Sequence, residues 1–383
     1  MKKPIIVCDE QIPYAREAFS RVGRVCLLPA EEIINRNIRA ADVLVIRSVT
    51  KVAPELLSGT SVEIVGSVTS GIDHIDAAYL NKGGIKLISA PGSNANSVSE
   101  YVIAALLVLS EMKGITLEGK KVGIVGVGHV GSRVDKKCRA LGMKTVWNDP
   151  PLARPDRDIK YRSMREICSC DIVTLHMPLT FRGRDATYHL VGDELLRGMK
   201  DPFIFINTAR GKVVDEKAIL EYGRKGLFQG MVIDVWPDEP DIDRGLLRMA
   251  DIATPHVAGY SIDGKVKAVD MVYKDLCRHY KVRDNWSVTA MLRPPPDPLI
   301  KVPEAKGGGK DTIKKAVLAA YDPRVDDRNL RRIALIDPKK RGEYFESLRQ
   351  RYPVRREFGN YRVSLAGVSL KHKKVLKRLG FGC

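Results

Sequence analysis

No paired CxxC occurs in this 383-residue chain, and its seven cysteines (8, 26, 138, 168, 170, 277 and 383) are scattered and odd in number. That pattern excludes a zinc-ribbon ligand set and the disulfide framework of a small secreted domain. Only Cys168 and Cys170 are close together, and they read as ordinary reduced thiols. Long apolar runs are equally scarce. The longest, Val102 to Leu109, falls well short of the roughly 20 residues that span a bilayer and suits a buried helix. At the start, Ile5-Ile6-Val7-Cys8 after Met1-Lys2-Lys3-Pro4 is too short for a secretory signal. No internal repeat is visible. The expectation is a cytoplasmic protein with no metal and no membrane partner.

What is abundant is positive charge, a net +18. Such an excess can mark a polyanionic partner. From residue 291 onward, 23 Lys and Arg face 10 Asp and Glu, so 13 of the 18 excess charges lie there and the body is nearly neutral. The basic stretch Lys371–Arg378 has no stacking aromatics or helix-turn-helix pattern beside it, so a solvated face is expected and no nucleic-acid partner.

The length allows two or three domains. Short β-branched runs at Ile5–Asp9, Val25–Leu28, Val43–Ser48, Glu63–Ser70 and Lys86–Ala90 predict strands, with helical patterns such as Pro13–Arg21 between them. A helix is predicted over Ser97–Lys113. A second series follows at Lys121–Val125, Lys144–Asn148, Ile172–His176, Phe203–Asn207, Met231–Val235 and Ile252–Thr254, then a helix over Gly264–Tyr280. Strands alternating with helices imply an α/β protein with doubly wound parallel sheets. Arg293-Pro-Pro-Pro-Asp-Pro298 reads as a linker, reinforced by the loose glycine stretch Lys306–Lys310. Residues 291–383 regain periodic patterns and are expected to form a small third domain.

The strand at Lys121–Val125 runs into Gly126-Val127-Gly128-His129-Val130-Gly131 and then a predicted helix, Ser132–Leu141. Glycine at the first position permits the tight turn. At the second it lets a pyrophosphate approach the backbone, and at the third it lets helix and strand pack closely. The helix N-terminus then offers unpaired N–H groups to phosphate. Asp149, 18 positions past Gly131, ends the next strand, where a carboxylate binds ribose hydroxyls and repels a 2′-phosphate. NAD is therefore the expected cofactor, in preference to NADP.

Three later strand ends carry Asn207-Thr208-Ala209-Arg210-Gly211, Asp234-Val-Trp-Pro-Asp-Glu239-Pro240 and Thr254-Pro-His256-Val-Ala-Gly259-Tyr260. Ligands gather at such ends. A guanidinium grips a carboxylate in two-pronged fashion, a histidine takes a hydroxyl proton, and a nearby carboxylate orients the imidazole. Arg210, Glu239 and His256 are the candidate catalytic residues.

With these motifs and His176-Met177-Pro178-Leu-Thr180, the chain resembles the D-isomer-specific 2-hydroxyacid dehydrogenases. The resemblance implies two Rossmann-like domains with the active site in the cleft between them, and a discontinuous substrate domain. Here that means a substrate domain of 1–97 and 257–290, an NAD-binding domain of 98–256, and a small C-terminal α+β dimerisation domain of 291–383. Within the family the likeness is narrower still to an enzyme of pyridoxal phosphate biosynthesis acting on a phosphorylated four-carbon 2-hydroxy acid. It is carried by Asp9–Arg16, Val45–Val52, Thr69–Asp76, Asp149-Pro150-Pro151, Ala258–Lys265, Tyr321-Asp322, Gly342–Phe345 and Arg355–Phe358. It implies substrate contacts from Ser48, Thr69 and Tyr260, beside which Arg47 is a further candidate by its charge, and cofactor contacts from the glycine loop, Asp149, Asn207, Thr208, Ala209, Asp234 and Gly259. It also implies a homodimer. Met177 and Asp201-Pro202 depart from the family pattern, and Met177 puts in doubt a side-chain contact at that position.

A substrate with a carboxylate at one end and a phosphate at the other suits Arg210 together with Arg47, Ser48 and Lys51. Which end Arg47 and Ser48 meet stays open. Other readings are a phosphoglycerate, glyoxylate or hydroxypyruvate enzyme of the same family, and an NAD-sensing, corepressor-like scaffold that keeps the fold for partner binding. The intact triad counts against the scaffold.

Overall fold

The computed structural model describes residues 3–156, 161–287, 291–302, 309–364 and 370–382. Most of the glycine stretch read as a loose connection lies outside them, and its last two residues open the helix Gly309–Ala320. The chain divides into two compact units, Met1–Asn94 with Ser261–Arg293, and Ala95–Tyr260 with Pro294–Cys383.

The first unit holds strands β1 (Ile5–Asp9), β2 (Arg24–Leu28), β3 (Val43–Ile46), β4 (Ile64–Ser67) and β5 (Lys86–Ile88) in the parallel order β2-β1-β3-β4-β5. All four residues of β3 and of β4 are buried. A parallel sheet covered on both faces needs this continuous apolar character, in place of alternation. Phe19, Val269, Tyr273 and Leu276 cover one face, and Ile38, Leu57 and Leu80 the other. The helix Ile262–Tyr280, whose first turn is capped by Ser261 Oγ accepting from Gly264 N–H (2.9 Å), packs close over Gly66. A Cβ at Gly66 would sit 2.9 Å from Val272 Cγ1.

The second unit holds β6 (Lys121–Val125), β7 (Lys144–Asn148), β8 (Ile172–Leu175), β9 (Phe203–Asn207), β10 (Phe228–Ile233) and β11 (Ile252–Ala253), all parallel, in the order β11-β10-β9-β8-β6-β7. A bridge from Trp147 to Tyr161 extends the sheet beyond β7. The chain reverses direction across the sheet between β7 and β8, on either side of β6, and that switch point opens a crevice at the strands' C-terminal ends. The helix Ala95–Lys113 is long and apolar enough to cross a membrane by length and composition, yet its residues Ser97–Leu109 are buried inside this unit.

The segment after the proline run adds β12 (Leu299–Ile300) and β13 (Arg362–Val363), paired in parallel, and the helices Gly309–Ala320, Pro323–Arg331, Arg341–Gln350 and Leu370–Leu379. It shares its hydrophobic core with the six-stranded fold. Ala316, Val317, Phe358, Leu376 and Leu379 join Tyr101, Val102 and Val134, while Leu330, Ile333 and Phe345 join Trp236 and Leu246. Each large side chain so buried contributes about 1.5–3 kcal/mol. Polar ties reinforce the packing: Asp327 Oδ1 accepts from Ala253 N–H (2.8 Å), and Arg331 donates to the Leu247 and Ala250 carbonyls (2.9 and 2.6 Å).

Candidate active site

The glycine loop follows β6 directly. Gly126 has φ +86°, and a Cβ there would lie 2.6 Å from Met177 N. A Cβ at Gly131 would fall on the Gly126 carbonyl oxygen, whereas one at Gly128 would meet nothing within 4 Å. The first and third glycines are therefore demanded by the protein's own packing, and the second leaves exposed backbone for a ligand. His129 is exposed beside it, and Val130 precedes the helix Gly131–Ala140. Asp149 closes the loop: its Oδ2 accepts from Val127 N–H (2.8 Å) and its Oδ1 from Leu152 N–H (3.2 Å). Beside Asp149 lies a cavity of about 630 Å³, bordered also by Asn148, Ala153, Tyr161 and Met164. That volume is within the range of small-molecule and cofactor sites. The Arg154 guanidinium on its border is matched by Asp185 through contacts of 3.0 and 2.5 Å.

The turn after β9 is built by Asn207, whose Oδ1 accepts from Ala209 N–H and whose Nδ2 donates to the Arg210 carbonyl, both at 3.1 Å. Arg210 is half-buried, and its Nη1 donates to the Ala209 carbonyl (2.7 Å). Gly211 is pressed against the Trp236 carbonyl, where no side chain fits. Thr208 is tied to His176 Nδ1 (3.1 Å), and His176 Nε2 to Thr174 Oγ1 (3.0 Å). Burial drives the His176 imidazole down to about 3, so it stays neutral. His176 and the buried Met177 thus stand as supports of the turn.

The structure brings Glu239 and His256 together: His256 Nδ1 lies 2.8 Å from Glu239 Oε2, and Glu239 Oε1 accepts from Trp236 N–H (2.8 Å). Trp236 is the residue against which the Arg210 turn packs, so the two loops share one backbone contact. Burial works to raise the Glu239 carboxyl. The His256 charge, the hydrogen bonds from His256 and Trp236 and the Arg349 guanidinium outweigh it and hold the carboxyl below its ordinary value.

His256 has φ +57°, a left-handed conformation that costs a non-glycine residue about 1–3 kcal/mol. Asp234 holds it there. The His256 N–H donates to the Asp234 carbonyl (2.7 Å), and the next two amides, Val257 and Ala258, donate to the Asp234 carboxylate (2.8 and 3.1 Å). Thr254 Oγ1 donates to the same oxygen (2.6 Å) and accepts from Tyr101 OH (2.7 Å). The Asp234 carboxylate is 1% exposed. Tyr101 and this Asp234–Thr254 network escaped the sequence reading, which had no spacing signal linking a helix residue to a loop 153 positions away. Gly259 and Tyr260 follow, half-buried.

In the first unit, Arg47 Nε donates to Asp9 Oδ2 (2.8 Å), and Ser48 and Lys51 are exposed. Thr69 Oγ1 is 2.6 Å from Ser67 Oγ and donates to the Gly71 carbonyl (2.8 Å). Among the described residues no cluster of three or more metal-ligating side chains occurs.

A family model for the D-isomer specific 2-hydroxyacid dehydrogenase NAD-binding domain matches residues 100–258, and one for a domain of unknown function matches 294–380. An erythronate-4-phosphate dehydrogenase from Salinibacter ruber is 40% identical over 378 residues, 97% of this chain and 96% of the relative. The chain belongs to the D-isomer-specific 2-hydroxyacid dehydrogenase family. It is an NAD-dependent dehydrogenase. Another erythronate-4-phosphate dehydrogenase, from Hahella chejuensis, is 39% identical across 98% of both chains. Among solved structures, the D-lactate dehydrogenase of Aquifex aeolicus with NAD and lactic acid is 26% identical, with a TM-score of 0.62. The match covers 95% of that chain and 72% of this one. The Entamoeba histolytica 3-phosphoglycerate dehydrogenase, at 24% identity and TM-score 0.62, shares the fold.

Proposed function

We propose that the chain oxidises the C2 hydroxyl of erythronate 4-phosphate to the 2-oxo acid, 3-hydroxy-2-oxo-4-phosphobutanoate, a step toward pyridoxal 5′-phosphate. The observation that carries the reaction class is the 2.8 Å His256–Glu239 pair, set beside the Arg210 turn. The choice of substrate draws on relatives that match over nearly the whole chain, C-terminal segment included.

NAD, when bound, supplies the hydride acceptor; the glycine loop, Asp149, Asn207, Thr208, Ala209 and Gly259 are the residues to hold it. Arg210 grips the substrate carboxylate and fixes C2. His256 removes the hydroxyl proton as the hydride leaves and the C=O bond forms, and Glu239 balances the resulting imidazolium. Asp234 acts by clamping the His256 backbone. Arg47, Ser48, Thr69 and Tyr260 serve the rest of the substrate. The test is a panel with NAD: erythronate 4-phosphate against 3-phosphoglycerate, glycerate and lactate. The highest kcat/KM is expected for erythronate 4-phosphate, and a higher value for 3-phosphoglycerate would displace the proposed substrate.

The same reading includes a cytoplasmic homodimer joined through the C-terminal segment. Leu335, Val354 and Leu370 support it, standing 87%, 79% and 76% exposed on that segment. Replacing them with Asp should halve the mass seen in light scattering.

A further inference from the structure

The turn after His256 closes where Tyr260 N–H donates to the Val257 carbonyl (2.8 Å), with Ala258 and Gly259 as its two central residues. Neither has a positive φ, so the turn is of type I. The peptide joining them could rotate to the type II form with the flanking chain in place, because glycine accepts the positive φ this needs. That rotation would exchange the directions of the Ala258 carbonyl and the Gly259 N–H, which point opposite ways across a trans peptide. One side chain of the C-terminal segment meets this peptide. Arg355, 6% exposed, donates from Nη1 to the Ala258 carbonyl (3.0 Å) and from Nη2 to the Ser97 carbonyl (2.8 Å). Its Nε has no hydrogen-bond partner, and the guanidinium carbon lies 3.7 Å from the centre of the Tyr321 ring. The ring and the two carbonyls therefore set its direction. We propose that Arg355 is a positioning residue: it selects the orientation of the Ala258–Gly259 peptide and so turns the Gly259 N–H away from the core and to the cofactor. The proposal rests on the placement of Gly259 among the NAD-holding residues above.

A guanidinium donates to a carbonyl and has no acceptor to offer an N–H, so the rotated peptide would set donor against donor. The Ala258 N–H is held independently by the two Asp234 carboxylate oxygens (3.1 Å each), which leaves the carbonyl side to Arg355. Of the four amides in the turn, Val257 and Ala258 donate to Asp234, and Tyr260 donates to Val257. Among the described residues the Gly259 N–H meets no acceptor, so it is the amide left for a ligand.

The experiment uses the full chain, with NADH binding read by fluorescence and the melting temperature measured alongside. Arg355→Met keeps the length of the side chain and removes its donors. Its Kd for NADH should rise about five- to tenfold, the worth of one hydrogen bond. Arg355→Lys keeps a donor for the Ala258 carbonyl, and its Kd should fall between those of Arg355→Met and the wild type. Tyr321→Leu removes the ring that aligns the guanidinium and leaves the donors. It should raise Kd by less, and it decides the matter if neither Arg355 variant folds. In the wild type, NADH should slow the exchange of the Gly259 amide with deuterium. A role in stability alone would lower the melting temperature of Arg355→Met and leave its Kd unchanged. That result overturns the proposal while the placement of Gly259 stands, as do equal losses in Arg355→Met and Arg355→Lys. If only Tyr321→Leu folds, an unchanged Kd in it overturns the proposal likewise. A wild type that binds NADH with no slowing at Gly259 overturns that placement, and this proposal with it.

Discussion

The strand ends of the two units handle polar groups differently. In the first unit, candidate ligand groups hang on one or two contacts at most: Arg47 on the fully buried Asp9, Thr69 on Ser67 and the Gly71 carbonyl, with Ser48 exposed. In the second, His256 and Glu239 are each fixed more than once. His256 is held by its ring, by its own N–H and by two following amides, all converging on Glu239 and Asp234. Groups that take part in bond-making must be placed within a fraction of an ångström, whereas groups that only recognise charge tolerate looser placement.

The largest expected effect comes from breaking the tightly held side. His256→Gln should lower kcat by about 10² to 10⁴ while NAD binding, read by fluorescence, stays close to wild type. Normal turnover in this variant would remove His256 from the mechanism. Arg210→Lys keeps the charge and loses the fork, so kcat falls and KM rises together. Arg47→Lys, the equivalent change on the loosely held side, should raise KM with little effect on kcat. If the two variants gave the same kinetic pattern, the contrast between the units would fail.

Next in size is Glu239→Gln. Without the carboxylate the protonated form of the pair loses its balancing charge. The acid limb of oxidation and the profile of reduction, which needs the protonated form, should both move down. A smaller effect is expected at Asp149. Its carboxylate is fixed to Val127 and Leu152, and Asp149→Ser should narrow the preference for NAD over NADP severalfold in kcat/KM.

The smallest effect is on stability alone. Glu100 is fully buried in the helix Ala95–Lys113, where its Oε1 accepts from Asn96 Nδ2 (2.9 Å) and Phe358 N–H (3.0 Å). Burial first, and the neighbouring Glu357 second, push its carboxyl up to about 8. A carboxyl raised on folding stabilises fully below its unfolded value, and that contribution is lost as pH rises toward about 8. Glu100→Gln should flatten the fall in melting temperature between pH 5 and 8 by a few °C.

Much of this was legible in the sequence because parallel strands buried on both faces announce themselves as unbroken apolar runs. Phe203–Asn207 lies where the pattern puts it, whereas the runs Val43–Ser48 and Glu63–Ser70 overshoot β3 and β4, which end at Ile46 and Ser67; past β4 the apolar Val68 prolongs the pattern outside the strand. The Gly126 loop was legible because its φ and its crowding leave one residue type possible. The packing of Arg355 and Phe358 from the C-terminal segment against the rest of the second unit was not. Arg355 donates to the carbonyls of Ser97 and Ala258, partners 258 and 97 positions away, and among 64 cationic residues no local pattern singles it out. The Asp234 carboxylate illustrates the same limit. Its oxygens accept from amides 23 and 24 positions later, a use that only the folded loop defines.

That carboxylate also fixes a time scale. The amides of Val257 and Ala258 sit in a loop, outside any helix or strand, yet both donate to an acceptor sealed from water. Their hydrogens can be replaced from solvent only when the loop leaves Asp234, which exposes an unsatisfied buried charge and uncouples Thr254 from Tyr101. Such an opening approaches the free energy of unfolding the sheet itself, so these two amides should exchange with deuterium as slowly as those of β9 and β10.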